Sequence, residues 1–180
     1  STHHVIDLGG KFLMPGMTET HAHLSFDDSS PFSIGDSSVE QATITAVGNA
    51  RLMLNAGFTS AVSFGSTYGI DVALRNAINQ GHIVGPRIFT AGKAIATTGG
   101  HADPTNGMKK LLMGDPGPEQ GVINSADEAK KAVRQRYKNG ADNIKITATG
   151  GVLSVAKNGQ NPQFTLEEIQ AICATAKDYG

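Results

Sequence analysis

The chain has 180 residues, with 15 Lys plus Arg against 16 Asp plus Glu and a formal net charge of −1. That balance excludes a nucleic-acid binder working by bulk positive charge, while 39% hydrophobic and 17% charged residues suit a chain that buries a core. No apolar run approaches the ~20 residues of a membrane helix, no leader-like segment opens the chain, and the single cysteine, Cys173, excludes an internal disulfide. A soluble protein is expected, either cytoplasmic or exported after signal removal.

Residues 11–24 read as a strand whose early part is broken by Pro15 and Gly16. Ser38, with Gln41 three residues on, is a capping-box start for a helix over 39–56, and Gly57 is a helix stop. A short apolar, partly β-branched strand is expected at 58–64. Asp71 reads as the cap of a helix to residue 80, ended by Gly81. The Gly85-Pro86 turn then leads to a strand at 87–92. Residues 93–124 hold six glycines and three prolines and little periodicity, so they read as one long loop, functional or mobile. Ser125 with Glu128 opens a helix to residue 138, and Asn139-Gly140 stops it. A fourth strand is expected at 143–149, and Thr165 with Glu168 opens a last helix through 177. This alternation implies parallel strands with right-handed crossovers. Two folds fit it: an open doubly wound sheet, or part of a (β/α)8 barrel. No phosphate-cradling glycine motif follows the first strand, which weakens a nucleotide-binding reading.

Two segments carry chemistry. His21 and His23 end the first strand as His-x-His, and side chains at i and i+2 of a strand project from one face. Either they converge on a divalent cation at the strand's C-terminal end, where parallel α/β folds build active sites, or they are polar residues on an exposed strand end. In 143–149, Ile144, Ile146 and Ala148 share one face, expected under the helices, and Lys145 lies on the other. A buried ammonium is costly. Lys145 is either an edge lysine facing water or a neutral amine that adds carbon dioxide and becomes an anionic carbamate ligand.

Together, His-x-His on the first strand and Ile-Lys-Ile-Thr-Ala-Thr-Gly-Gly on the fourth resemble the amidohydrolase superfamily. The run 5–11 before Pro15-Gly16 is similar to that family's entry from a small β-domain into its barrel. Gly85-Pro86-Arg87-Ile88 and Thr98-Gly99-Gly100-His101 resemble the third strand and its loop in the imidazolonepropionase-related branch. That branch holds Xaa-Pro dipeptidases, other N-acyl-amino-acid hydrolases and ochratoxin-degrading amidases. The resemblance implies the first four β/α units of a (β/α)8 barrel over 15–180, with 1–14 as a remnant of the small β-domain.

It also implies a metal-dependent hydrolase that cleaves an amide bond by metal-activated hydroxide. His21 and His23 would be ligands of one metal. Lys145, as its carbamate formed from carbon dioxide, would bridge two divalent cations, with zinc the expected metal. His101 matches a loop histidine near bound substrate, though a solvated loop histidine fits it equally. Ser25 and Leu153 follow the two ligand strands and are candidate pocket residues. Two further ligand histidines and a proton-transferring Asp on the eighth strand have no counterpart here. His3, His4 and His82 offer no reason to serve. The expected partners are therefore a small amide or dipeptide substrate, the missing C-terminal half of the barrel and a second copy of the chain, with no nucleic acid and no membrane. This segment alone is expected to be inactive, since a barrel of this kind takes about 250 residues. The competing reading is a non-catalytic α/β binding or assembly module with an incomplete metal site.

Overall fold

Pro15 has no amide to give a ladder, and the first strand starts only after it. In the computed structural model, which describes residues 3–26, 37–152 and 158–180, β1 spans Met17–Ala22 rather than beginning at residue 11. Gly16 passes so close to Thr59 that a Cβ would overlap that side chain, so glycine admits the chain to the sheet here. α1 spans Val39–Asn55 and starts where the Ser38 hydroxyl accepts the Gln41 amide at 3.2 Å. It buries Ala42, Ala46 and Ala50, a four-residue spacing that turns a row of methyl groups toward the sheet. β2 is Phe58–Ser63, α2 is Ile70–Asn79 and β3 is Arg87–Thr90. The three strands pair in parallel in the order β1-β2-β3, as the alternation predicts. Ala22, Leu24, Ala61, Ile88 and Leu74 fill the core between this sheet and its helices.

Asp71 does not cap α2. Gly69, with φ 73°, precedes the helix, and Asp71 lies in its first turn, 1% exposed. Its carboxylate instead accepts the Gly92 amide at 3.0 Å, and its own amide donates to the Ser66 hydroxyl at 3.1 Å. A buried carboxylate needs such partners. It finds one across the end of the sheet, at Gly92, and one beside it in the Val72 amide at 2.9 Å.

The stretch 93–124 is not one structureless loop. It holds β4 (Ala96–Thr97), α3 (Lys110–Met113) and β5 (Val122–Ile123), and β4 and β5 pair in parallel. α4 spans Ala126–Lys138, capped by Ser125, and α5 spans Leu166–Asp178 behind a complete Thr165–Glu168 capping box. Ile95, Ile123, Val133, Phe164 and Ile172 form a second core between the short strands and these helices. No described helix is long and apolar enough to cross a membrane.

The fourth strand is present in position but not as a ladder. The amides of Asp142 and Asn143 donate to the Thr90 carbonyl at 2.7 and 3.1 Å, Ile95 donates to Lys145 at 2.8 Å, and Thr147 donates to Ile95 at 3.0 Å. Between those contacts the neighbouring chain turns away at Gly92, where φ is 64°, so only an isolated Ile95–Ile146 bridge survives. Ile144 and Ile146 pack on the second core, but Ala148 is exposed rather than covered by helices.

A polar clamp joins α2, β3 and this segment. Arg75 donates to Asp142 at 2.6 Å and to the Gly140 carbonyl at 2.9 Å. Asp142 also accepts the Thr90 amide at 2.8 Å and the Thr90 hydroxyl at 3.0 Å. Burial alone raises the Asp142 pKa, but these donors and the Arg75 charge outweigh it and hold the carboxyl below its usual value. A folded-state pKa that is depressed stabilises the fold above the ordinary Asp value of about 3.9. That contribution is lost as pH falls through the folded value. Asp142→Asn is therefore expected to cost roughly 1 kcal/mol at neutral pH, a small figure because solvent reaches the pair. The gap in melting temperature between it and the parent is expected to close on acidification. A gap independent of pH would show that the carboxylate charge plays no part.

Candidate metal centre

The parallel pairing sets the chain so that β1, β2 and the 142–147 segment end on one side of the sheet. His21 lies in β1 and His23 one residue past its end, and the alternation of the more exposed His21 and His23 with buried Ala22 and Leu24 keeps the two rings on one face. Their ring centroids lie 5.3 Å apart, tilted by 58°. Phe64, just past β2, sits beneath the group. His21 meets its ring edge-on at 5.1 Å, and the Lys145 ammonium nitrogen lies 4.9 Å from its centroid. Phe26 stacks on His23 at 5.0 Å. The structure therefore brings together the three side chains the sequence singles out as metal ligands.

One nitrogen of the pair is already assigned. His23 Nδ1 lies 3.0 Å from the Gly65 carbonyl. A carbonyl only accepts, so Nδ1 is the donor, and in the neutral imidazole the lone pair is then on Nε2. Metal-ligating histidines are held by this kind of outer hydrogen bond. Gly65 adopts φ 133° to aim that carbonyl, a backbone conformation only glycine takes without strain. The His21 amide is fixed in turn by the Glu19 carboxylate at 2.9 Å.

The electrostatics favour neutral bases. Burial lowers the His21 pKa, the nearby Lys145 and His23 lower it further, and Glu19 opposes them. Burial lowers the Lys145 pKa. The His101 pKa is lowered by burial first and then by Lys145 and His23. His101 thus lies within electrostatic reach of the same group, on the loop after β4. A Cβ on Gly151 would overlap its ring, so the ring lies flush against that backbone.

The donor set fits a divalent cation in part. Two imidazoles offer lone pairs, and a lysine beside them is a ligand only once modified. Among the described residues, no group of three or more His, Cys, Asp and Glu side chains is arranged to hold a metal ion. Ser25 is buried, and its hydroxyl accepts from Ser66 at 3.4 Å. Leu153 lies outside the described residues. His3, His4 and His82 are exposed. Phe64, Gly65 and Gln163 are the residues that sequence reasoning missed. Phe64 alone left a signal, as the last apolar residue of the run 58–64.

Residues 12–180 match the amidohydrolase family. The ochratoxinase of Aspergillus niger is 34% identical over 193 residues, which is 98% of this chain and 38% of the relative. A Xaa-Pro dipeptidase crystallised with methionine bound in its active site is similar with a TM-score of 0.85 and 50% identity, over 92% of this chain and 41% of that one. A prolidase complexed with N-methylphosphonate-L-proline follows at 0.80 and 31%, over 92% and 41% of the two chains. The chain thus spans 38–41% of the length of these relatives.

Nitrogen-15 NMR of the imidazoles checks the assigned tautomer. His23 is expected to be protonated on Nδ1 and bare on Nε2. Gly65→Ala is expected to strain the turn and mix the tautomers. An Nε2-protonated His23 in the parent protein would remove its ligand role.

Proposed function

The chain belongs to the amidohydrolase family, and on that premise we propose that it supplies the first part of a (β/α)8 enzyme that hydrolyses an amide bond with bound divalent metal. The observation that carries the reading is the convergence of His21, His23 and Lys145 around Phe64. The proposed substrate is a dipeptide or another N-acyl amino acid. A Xaa-Pro dipeptidase at 50% identity and a prolidase holding an L-proline derivative put Xaa-Pro first. The ochratoxinase relative makes ochratoxin the next candidate.

When bound, the metal ions, zinc being the expected species, supply Lewis acidity that polarises a carbonyl and acidifies water. The chain's own residues do the rest. His21 and His23 would offer lone pairs to one cation, with the His23 Nδ1 proton directed at the Gly65 carbonyl. Burial holds more of Lys145 as the neutral amine. That nitrogen adds to carbon dioxide: an N–C bond forms as one C=O π pair moves onto oxygen, the N–H proton passes to water, and the carbamate oxygens would be the anionic donors that Lys145 offers to divalent metal. His101, kept neutral, donates its N–H to a substrate carbonyl or carboxylate oxygen. Ser25 after the first strand and Leu153 after the fourth are the proposed pocket-lining residues.

The domain reading follows the same premise, with 1–14 as an entry segment from a small β-domain and 15–180 as barrel. Val5, Ile6, Phe12 and Leu13 are each more than 80% exposed, which supports cover by further polypeptide or a second copy. A non-catalytic binding module is favoured by one observation, the lack of a three-ligand cluster among the described residues.

Metal analysis and assays of the full-length protein decide between the two. The hydrolase reading expects about two metal equivalents per chain and turnover of Met-Pro or an N-acyl amino acid. It expects the His21→Ala/His23→Ala double variant to lose metal and at least 100-fold in kcat/KM. Unchanged metal content and activity in that variant would sink it. Carbon-13 NMR with labelled bicarbonate is expected to show a carbamate signal that Lys145→Arg abolishes. A signal that persists in Lys145→Arg would place the carbamate elsewhere.

A further inference from the structure

We propose that Gln163 is a positioning residue that sets His101 over the site by fastening its loop to the backbone following Lys145. The proposal rests on the hydrolase reading of His101. Its basis is one residue that bonds in two directions. The Gln163 side-chain carbonyl accepts the His101 amide at 2.8 Å, across 62 positions of sequence. The Gln163 amide donates to the Ala148 carbonyl at 2.8 Å, beside an antiparallel Thr149–Pro162 bridge. Gln163 is thereby fixed by its backbone three residues beyond Lys145, and it fixes by its side chain the loop that carries His101.

The loop is braced elsewhere as well, so the Gln163 contact sets its placement rather than its existence. Asp103 accepts the Gly99 amide at 2.8 Å and the Thr105 amide at 2.9 Å, and Asn106 donates to the Gly100 carbonyl at 2.6 Å. These bonds are local and make the loop a rigid body. The His101–Gln163 bond refers that body to the Lys145 segment, and the ring closes against Gly151, where no Cβ intervenes. An exposed loop histidine that is only solvated needs none of this. A side chain that must meet a reacting carbonyl needs placement within a fraction of an ångström.

The test uses the full-length enzyme and the variants Gln163→Ala, Gln163→Glu, His101→Ala and the Gln163→Ala/His101→Ala double. Gln163→Glu keeps an oxygen for the His101 amide. Steady-state kinetics on Met-Pro are expected to show kcat/KM down about 10- to 100-fold in Gln163→Ala, with Gln163→Glu recovering most of it. The double variant is expected to be no slower than His101→Ala alone, because Gln163 acts through His101. Hydrogen exchange at the His101 amide is expected to rise about tenfold or more in Gln163→Ala and to return in Gln163→Glu. Losses that multiply in the double variant, or exchange and kinetics unchanged in Gln163→Ala, would overturn the proposal. A parent enzyme that hydrolyses no dipeptide or N-acyl amino acid would overturn the hydrolase reading instead, and the exchange measurement would still decide whether Gln163 holds the loop.

Discussion

Two buried charges of opposite sign grip consecutive residues where the chain leaves β3. Asp71 takes the Gly92 amide, and the Arg136 guanidinium donates to the Lys93 carbonyl at 2.7 Å and the Glu119 carbonyl at 3.3 Å. Each is 1% exposed. Burial pushes the Arg136 pKa down to about 10, which leaves it charged at neutral pH. A buried charge is tolerated only when polar groups replace its water, and here backbone groups do so for the Asp71 carboxylate and for Arg136 Nε and Nη1, while Arg136 Nη2 is buried without a partner. The turn at Gly92 divides the first core from the second. It also throws the 142–147 segment out of regular pairing, so the placement of Lys145 depends on it.

That placement sets the chemistry open to the site. His21, His23, Lys145 and His101 are four bases in one region, and Glu19 acts on His21 against them. If all four held protons they would repel one another in partly desolvated surroundings. At His21 and His101 burial and repulsion act in the same direction, and with burial at Lys145 they favour the unprotonated forms of these three. A cluster of neutral nitrogen donors suits a cation or an electrophile such as carbon dioxide far better than an anion. Phe64 fits the same logic, since its ring face attracts whatever positive charge Lys145 retains.

The features governed by local chemistry were legible in the sequence. Ser38, Ser125 and Thr165 cap the helices they announce, because a hydroxyl reaching an amide two or three residues on is a short-range event. The shared face of His21 and His23 follows from the two-residue period of a strand. Asp71 was misread because it has the residue type of a cap, while its partner lies 21 residues away. The fourth strand was read from its apolar alternation, which cannot report that its neighbour turns aside at Gly92. Gln163 was invisible for a similar reason: nothing nearby in sequence marks a glutamine whose partner is His101.

β1 makes the connection between family and geometry physical. A strand in a parallel sheet is normally covered on both faces, yet only Ala22 among its six residues is buried. It pairs with β2 along one edge, and that pairing is irregular between Glu19 and Ala22. The histidine pair therefore sits at the end of an exposed strand, held by Glu19, Gly65 and two aromatic rings rather than by a regular ladder. In a closed barrel a further strand would pair with the open edge of β1, and side chains from the opposite wall would face His21 and His23. The separation and tilt of the two rings would then be fixed from both sides, and the remaining donors a divalent cation requires would come from that wall. On the proposed reading, a pair completed across a barrel would account for two imidazoles standing without a third donor among the described residues.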